Sequence, residues 1–156
     1  MDTIKEVKSY LREKFGDGAR CPCCGQFVKL YKRKLNSGMT LFLIGLYNLS
    51  KHKKGAYFKN QTIMKKMNIN TSSLDYSIIK HFGLMEEEKN DLTDKKNSGY
   101  WRITQKGIDF VSQKIEVPSH VHLYNNKVLG FSDTKTNVVK SVGSKFNFDE
   151  LLNESI

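Results

Sequence analysis

Apolar residues recur along the chain at spacings that predict two helices in its first third. Near the start they lie three or four positions apart, which predicts an amphipathic helix over 2–15 with the stripe Ile4, Val7, Leu11 and Phe15. This stripe packs either within the chain or against a second copy, so a homodimer through the N-terminal helix remains open. The stretch 39–49 is apolar nearly all round, which predicts a central buried helix beginning after Asn36 or Ser37.

The stretch 61–114 contains two short helical patterns, a charged segment and a closing helix. The pattern predicts a first helix over 61–67 and a turn at 68–70. A second helix then carries the apolar stripe Leu74, Ile78, Ile79 and Phe82. Its N-cap is Thr71, Ser72 or Ser73, and Thr104 is placed to cap a closing helix over 105–114. This order is typical of a winged helix-turn-helix.

The last part of the chain has a different pattern. Residues 121–131 alternate around Asn125-Asn126 and predict a β-hairpin, and 136–142 favours a short helix. The tail from Phe146 mixes acidic with large apolar residues, so it either packs back or serves as a docking peptide. We therefore expect an α+β fold in three segments, 1–35, 36–115 and 116–156.

The positive charge of the chain is concentrated in its first part. The net charge is +10, yet residues 1–66 hold 15 Lys and Arg against 4 Asp and Glu, a balance of +11. A cluster lies at Lys29, Lys32, Arg33 and Lys34. A one-sided basic field favours a polyanion, either nucleic acid or an acidic protein surface, although a solvated basic turn would look the same. The wing segment 86–96 has five acids against three lysines, so it is not expected to attract phosphate.

The three cysteines lie within four positions, at Cys21, Cys23 and Cys24. Cys21 and Cys24, with Pro22 and Gly25, form a C-P-x-C-G pattern, in which two thiolates can bind one zinc ion and proline and glycine shape the turn. His120 and His122 are the other paired soft ligands. On a strand they face the same way, about 6.6 Å apart. We expect structural zinc at Cys21, Cys24, His120 and His122, or else a strand that carries two histidines by chance.

Several classes of protein are not favoured by the sequence. No apolar run approaches the ~20 residues of a membrane span, and the charged N-terminus does not have the composition of a signal peptide. We expect a cytoplasmic protein with no membrane partner. No glycine-rich phosphate loop is present, and no histidine lies near the cysteines in sequence, so we expect a non-enzyme.

The segments HFGLMEEEK and YWRITQKGIDFV, with a charged loop between them, resemble the second half of the winged-helix domain in MarR-like and PadR-like regulators. The matching residues are Gly83, Leu84, Met85, Glu86, Tyr100, Arg102, Ile103, Thr104, Lys106 and Gly107. The resemblance covers about 36–115 and implies that the second helix enters the major groove of DNA. It implies base or phosphate contacts for Ser73, Tyr76, Ser77 and Lys80, and backbone contacts for Lys65 and Lys66.

Two functions follow as hypotheses. The first is a DNA-binding, transcription-regulator-like protein whose partner is duplex DNA. The second is a protein-interaction module that uses the winged helix as a scaffold. The combination of cysteine turn, winged helix and YNNKVLGF hairpin also resembles small proteins of tailed bacteriophages, which implies a regulatory role or the modulation of a host enzyme or defence complex.

Overall fold

The structure is a computed structural model that describes residues 3–69, 76–88, 99–124, 127–143 and 147–153. Its fold is α+β, as predicted, and the paired strands are antiparallel. The helices are α1 (Ile4–Lys14), α2 (Ser37–Ser50), α3 (Asn60–Met67), a 3-10 helix (Tyr76–Phe82), α4 (Gln105–Val111), α5 (Val138–Val142) and α6 (Phe148–Asn153). The strands are β1 (Ala19–Arg20), β2 (Phe27–Val28), β3 (Tyr31–Lys34), β4 (Phe58–Lys59), β5 (Met85–Glu87), β6 (Tyr100–Ile103), β7 (Val117–Pro118), β8 (His120–Tyr124), β9 (Lys127–Phe131) and β10 (Lys135–Thr136).

Helix α2 is the centre of the hydrophobic core, as its all-round apolar pattern predicted. It begins where the Asn36 side chain accepts a hydrogen bond of 2.9 Å from the backbone N–H of Met39. Residues 39–46 are all buried, and Phe42 is fully enclosed. The helix contacts α3, α4, α5, α6, β6 and the 3-10 helix. Elements from both the middle and the end of the chain therefore pack on one helix.

The middle of the chain runs α2, β4, α3, the 3-10 helix, β5, β6 and α4, and its sheet has the strand order β4-β6-β5. Asn68 ends α3 in the left-handed region, with φ of 53°, at the predicted turn. The second helix of the predicted pair is a 3-10 helix in its described part, and its predicted caps at 71–73 lie outside the described residues. The closing helix begins at Gln105 as predicted but ends at Val111, three residues earlier than expected.

The last segment folds back onto the rest of the chain. Strand β8 pairs with β9 across the predicted hairpin, whose Asn125-Asn126 turn lies outside the described residues, and it also pairs with β3. The sheet order is therefore β3-β8-β9. The tail packs back, because Phe148 in α6 is buried and the Asn48 side chain donates a 2.9 Å hydrogen bond to the carbonyl of Leu151.

Helix α1 is partly packed within the chain. It is capped by Thr3, whose hydroxyl accepts a hydrogen bond of 3.2 Å from the N–H of Glu6. Val7 is buried and the Phe15 ring meets Tyr124 edge-on at 5.6 Å, but Ile4 is 73% exposed. Among the described residues, no helix is long and apolar enough to cross a membrane.

Candidate nucleic-acid interface and cysteine turn

The register between β3 and β8 brings the predicted basic cluster and the predicted histidine pair together. Lys32 is opposite His122, and Lys34 is opposite His120. Side chains of directly opposite residues share one face of a sheet, with Cβ atoms roughly 4.5–5.5 Å apart. The intervening β8 residues Val121 and Leu123 are buried, so the lysines and histidines occupy the outer face.

Strand β9 extends this face. Lys127 pairs with Tyr124, which places a third lysine beside a third ring on the outer side. Gly130 pairs with His122 and has no side chain to cover the imidazole, and a Cβ built on it would meet nothing within 4 Å. We call this surface the basic sheet face, and define it as Lys32, Lys34, His120, His122, Tyr124 and Lys127.

The basic sheet face carries no acidic residue, since β3, β8 and β9 contain neither Asp nor Glu. Its lysines are exposed, and its rings are half-buried. The Nδ1 atom of His120 lies 2.8 Å from the Ser119 hydroxyl, which also contacts the Thr134 hydroxyl at 2.6 Å. This hydroxyl cluster fixes the ring of His120. The Tyr124 end of the face is bordered by the ring of Phe15.

The other two members of the basic cluster do not share this face. Arg33 pairs with buried Val121, so it lies on the opposite, core-side face of the sheet and is half-buried. Lys29 precedes β3, and its Nζ lies 5.4 Å from the centroid of the Tyr31 ring. Strand alternation therefore puts only Lys32 and Lys34 of the four on one sheet face, and contact of the four with phosphate stays a prediction.

The residues that the family resemblance assigned to DNA contact are scattered in their exposure. Lys65 is exposed and Lys66 half-buried in the last turn of α3, while Ser77 is exposed and Lys80 half-buried in the 3-10 helix. Ser73 lies outside the described residues.

Tyr76 does not occupy the exposed position that the resemblance implied. Its ring stacks on Phe42 with centroids 4.9 Å apart and planes at 7°, and it meets Trp101 edge-on at 5.9 Å. Its hydroxyl accepts a hydrogen bond from the Asn60 side chain. Tyr76 is therefore half-buried against the core with both its ring and its hydroxyl engaged, and its contact with DNA stays a prediction.

The cysteines occupy a tight turn between β1 and β2. The strands pair Ala19 with Val28 and Arg20 with Phe27, and the N–H of Cys21 donates to the carbonyl of Gln26 at 2.8 Å. The N–H of Gly25 donates to the carbonyl of Cys21 at 2.8 Å, with Gly25 at φ of 75°, a region that favours glycine. The sequence pattern predicted such a turn.

The Cys21 sulfur lies within hydrogen-bonding reach of its neighbours in this turn. Hydrogen bonds from the backbone of Cys24, and then of Cys23, lower the pKa of the Cys21 thiol because they favour the charged form. Cys23 and Cys24 are exposed, and Cys21 is half-buried. Thiolates are the form that binds metal, so the turn prepares Cys21 for such binding.

The predicted Cys2His2 set is not assembled. His120 and His122 face lysines across the sheet, and no group of three or more His, Cys, Asp or Glu side chains in the described residues, which include Cys21 and Cys24, is placed to hold a metal ion. His120 and His122 share one face of β8, as their i, i+2 spacing predicted. Zinc at the cysteine turn itself stays a prediction.

A cavity of about 690 Å³ lies between α2, β6 and the start of α4. Three of its charged groups, Lys51, Glu86 and Arg102, are engaged in contacts within the chain. Arg102 forms an ion pair with Glu86 and lies 4.6 Å from the Tyr57 ring centroid, and the Nζ of Lys51 donates to the carbonyl of Leu152 at 2.9 Å. These contacts have a structural role, since they join α2 to α6 and β5 to β6.

Comparisons with known proteins give no further guide to the site: no family model, no curated protein and no solved structure matches the chain. Sequence reasoning had named most of the residues of the site, but it assigned the lysines and the histidines to two different sites and missed Tyr124 and Lys127. The missing information was the pairing of β3 with β8, which no local pattern contains.

Proposed function

We propose that this chain is a non-enzymatic nucleic-acid-binding protein and that the basic sheet face is its main contact. The observation that carries the proposal is the register that sets Lys32 and Lys34 beside His122 and His120, with Lys127 on the next strand. Clustered lysines without acids neutralise backbone phosphates and release counterions. Flat rings among them can stack on bases or donate hydrogen bonds to phosphate.

We also propose that residues 36–115 form a winged-helix domain, which here acts chiefly as a scaffold. The strand order β4-β6-β5 and the sequence of helices around it support this assignment. The packing of Tyr76 into the core and the five acids of the segment 86–96 argue against the wing side as the main phosphate contact. The basic sheet face lies outside that domain, on strands contributed by both ends of the chain.

The test compares two double variants of the full chain that lose the same charge. Lys32→Gln with Lys34→Gln removes two lysines from the basic sheet face, and Lys65→Gln with Lys66→Gln removes two from the end of α3. Binding to random duplex DNA and to a single strand of the same sequence is followed by fluorescence anisotropy at several salt concentrations. The two forms of DNA share the phosphate chemistry and separate a duplex reader from a single-strand binder.

We expect affinity to fall steeply with salt, because phosphate contacts release counterions. The sheet-face variant should bind at least about tenfold more weakly than the unmodified chain. Its plot of log affinity against log salt should be less steep by roughly two, about one for each lost phosphate contact. The α3 variant should stay close to the unmodified chain. The reverse ranking would move the contact to the helix-turn-helix side and refute the assignment to the sheet.

Absence of binding to either form of DNA at low salt would favour a second candidate, a module that binds an acidic protein surface. One observation supports it: Val128, Leu129 and Phe131 are 40%, 55% and 42% exposed on β9, which is the outer strand of the order β3-β8-β9. Exposed apolar side chains on an outer strand suit a protein partner better than a phosphate backbone.

A further inference from the structure

The cysteine turn presents two sulfur ligands, which is half of what a tetrahedral zinc site requires. The other soft ligands of the chain are Cys23 and four histidines, and the structure describes all of them. Two of the histidines face lysines on the basic sheet face, His81 lies in the 3-10 helix, and His52 follows α2. Within the described residues no group of three or more candidate ligands forms around the turn.

We propose that the cysteine turns of two copies of this chain hold one zinc ion between them, each copy supplying Cys21 and Cys24. A two-fold axis through the ion lets the same two residues of each copy complete the tetrahedron, as in an isologous dimer. Four thiols lose their protons as they bind the ion, so the ion with its four thiolates carries two net negative charges.

The turn is shaped for this role. The hydrogen bonds between Cys21 and Gln26 and between Gly25 and Cys21 hold the backbone, so binding does not have to order it. Cys24 is exposed at the tip, where a second copy can approach. The Arg20 guanidinium, which donates to the carbonyl of Gly25 at 3.1 Å, provides positive charge beside the thiolates.

The surface next to the turn also fits a second copy. Phe27 on β2 is 48% exposed, and Val28, the next residue, borders a groove of about 300 Å³ between α1 and β2. The groove walls are almost entirely apolar and come from Lys8, Leu11, Arg12, Phe15 and Val28. A copy held at the turn lies beside this apolar surface and covers part of it. This arrangement agrees with the homodimer through the N-terminal helix that the apolar stripe of α1 left open.

Charge gives the dimer a salt dependence that sets it apart from nucleic-acid binding. The balance of +11 over residues 1–66 means that two copies repel one another when their N-terminal parts approach. Added salt screens this repulsion, so zinc-linked dimers should become stronger as salt rises. Nucleic-acid binding should become weaker over the same range.

The experiment titrates zinc into the full chain, freed of metal by a chelator under reducing conditions, and measures mass by analytical ultracentrifugation. The mass should double and reach its limit at about half an equivalent of zinc per chain, the ratio for one ion with four thiolates from two chains. Excess chelator should restore the monomer. Cobalt in place of zinc should give the intense charge-transfer absorption of an ion with four thiolate ligands, which are Cys21 and Cys24 of each copy.

Two serine variants and one control complete the design. Cys21→Ser and Cys24→Ser should remain monomeric with zinc, whereas Cys23→Ser, a matched change in the same turn, should dimerise at the same ratio. Circular dichroism checks that each variant is folded. A monomer that binds one zinc per chain would overturn the proposal, as would an unmodified chain that binds no zinc. Both outcomes are read from the unmodified protein, so they do not depend on how well a variant folds.

Discussion

At the scale of single residues, Gly107 shows how tightly two elements approach. A Cβ built there would lie 2.0 Å from the carbonyl oxygen of Leu84 and 2.7 Å from the side chain of Ile103. The backbone of Gly107 has no positive φ, so the requirement for glycine comes from space and not from conformation. The first turn of α4 therefore rests directly on the chain entering β5, and any side chain would push the two apart.

We expect Gly107→Ala to lower the free energy of unfolding by about 3 kcal/mol, the upper end for overpacking a well-filled site, because a backbone carbonyl cannot move aside as a side chain can. Urea denaturation followed by circular dichroism measures this change. Gly16→Ala is the matched control, since a Cβ there meets nothing within 4 Å, and its effect should stay within about 0.5 kcal/mol. Equal midpoints for the two variants would show that α4 is not seated this closely on β5.

At the scale of elements, Thr104 fixes where α4 begins. Its hydroxyl accepts a hydrogen bond from the N–H of Gly107 at 3.0 Å and donates one to the carbonyl of Gly83 at 2.6 Å. The first bond satisfies a free donor of the helix N-terminus, and the second joins the helix to the end of the 3-10 helix.

Thr104→Ala should therefore destabilise the protein by about 1–2 kcal/mol, as loss of a helix cap does. Thr104→Ser keeps the hydroxyl and should recover most of that loss. Thermal unfolding compares the two, with Tm lower for alanine than for serine by about 3–5 °C. If serine is as unstable as alanine, the threonine methyl group and not the hydroxyl carries the effect.

The helices and strands also differ in how far the sequence could predict them. Helices α1, α2, α3 and α4 follow from short-range period and caps such as Asn36 and Thr104, and all four were predicted within a few residues. The cysteine turn is equally local. Alternation along β3 and β8 also shows which of their residues share a face, but a strand's own pattern does not name its partner.

The pairing of Tyr31 with Leu123 joins parts of the chain about ninety residues apart, and it depends on how the whole core packs. For that reason the candidate nucleic-acid interface was predicted as two separate halves. The histidines were assigned to metal because same-face spacing on a strand suits a zinc ligand pair as well as it suits a lysine neighbour. The spacing of the two histidines alone does not distinguish these two interpretations.

At the scale of the whole molecule, one core unites the segments that the sequence divided at 35 and 115. Buried residues of the middle segment share a cluster with residues after 115: Val117, Val121, Leu123, Val138, Val142 and Phe148. A polar contact also joins the middle and last segments, because the Thr40 hydroxyl in α2 donates a buried hydrogen bond of 2.9 Å to the Ser141 hydroxyl in α5. The segments are therefore consecutive in sequence but jointly packed in space.

We accordingly expect a fragment of residues 36–115 to be unfolded on its own. Full burial of one aliphatic or aromatic side chain contributes about 1.5–3 kcal/mol, so losing six removes about 9–18 kcal/mol, which equals or exceeds the ~5–15 kcal/mol that stabilises a typical domain. A fragment of residues 16–156 is the control, because it lacks only α1, whose buried Val7 lies outside the main cluster. It should keep a cooperative urea transition. If the 36–115 fragment also unfolds cooperatively, the winged-helix segment is an independent domain, and the sheet built by the two chain ends is an attachment to it and not part of its core.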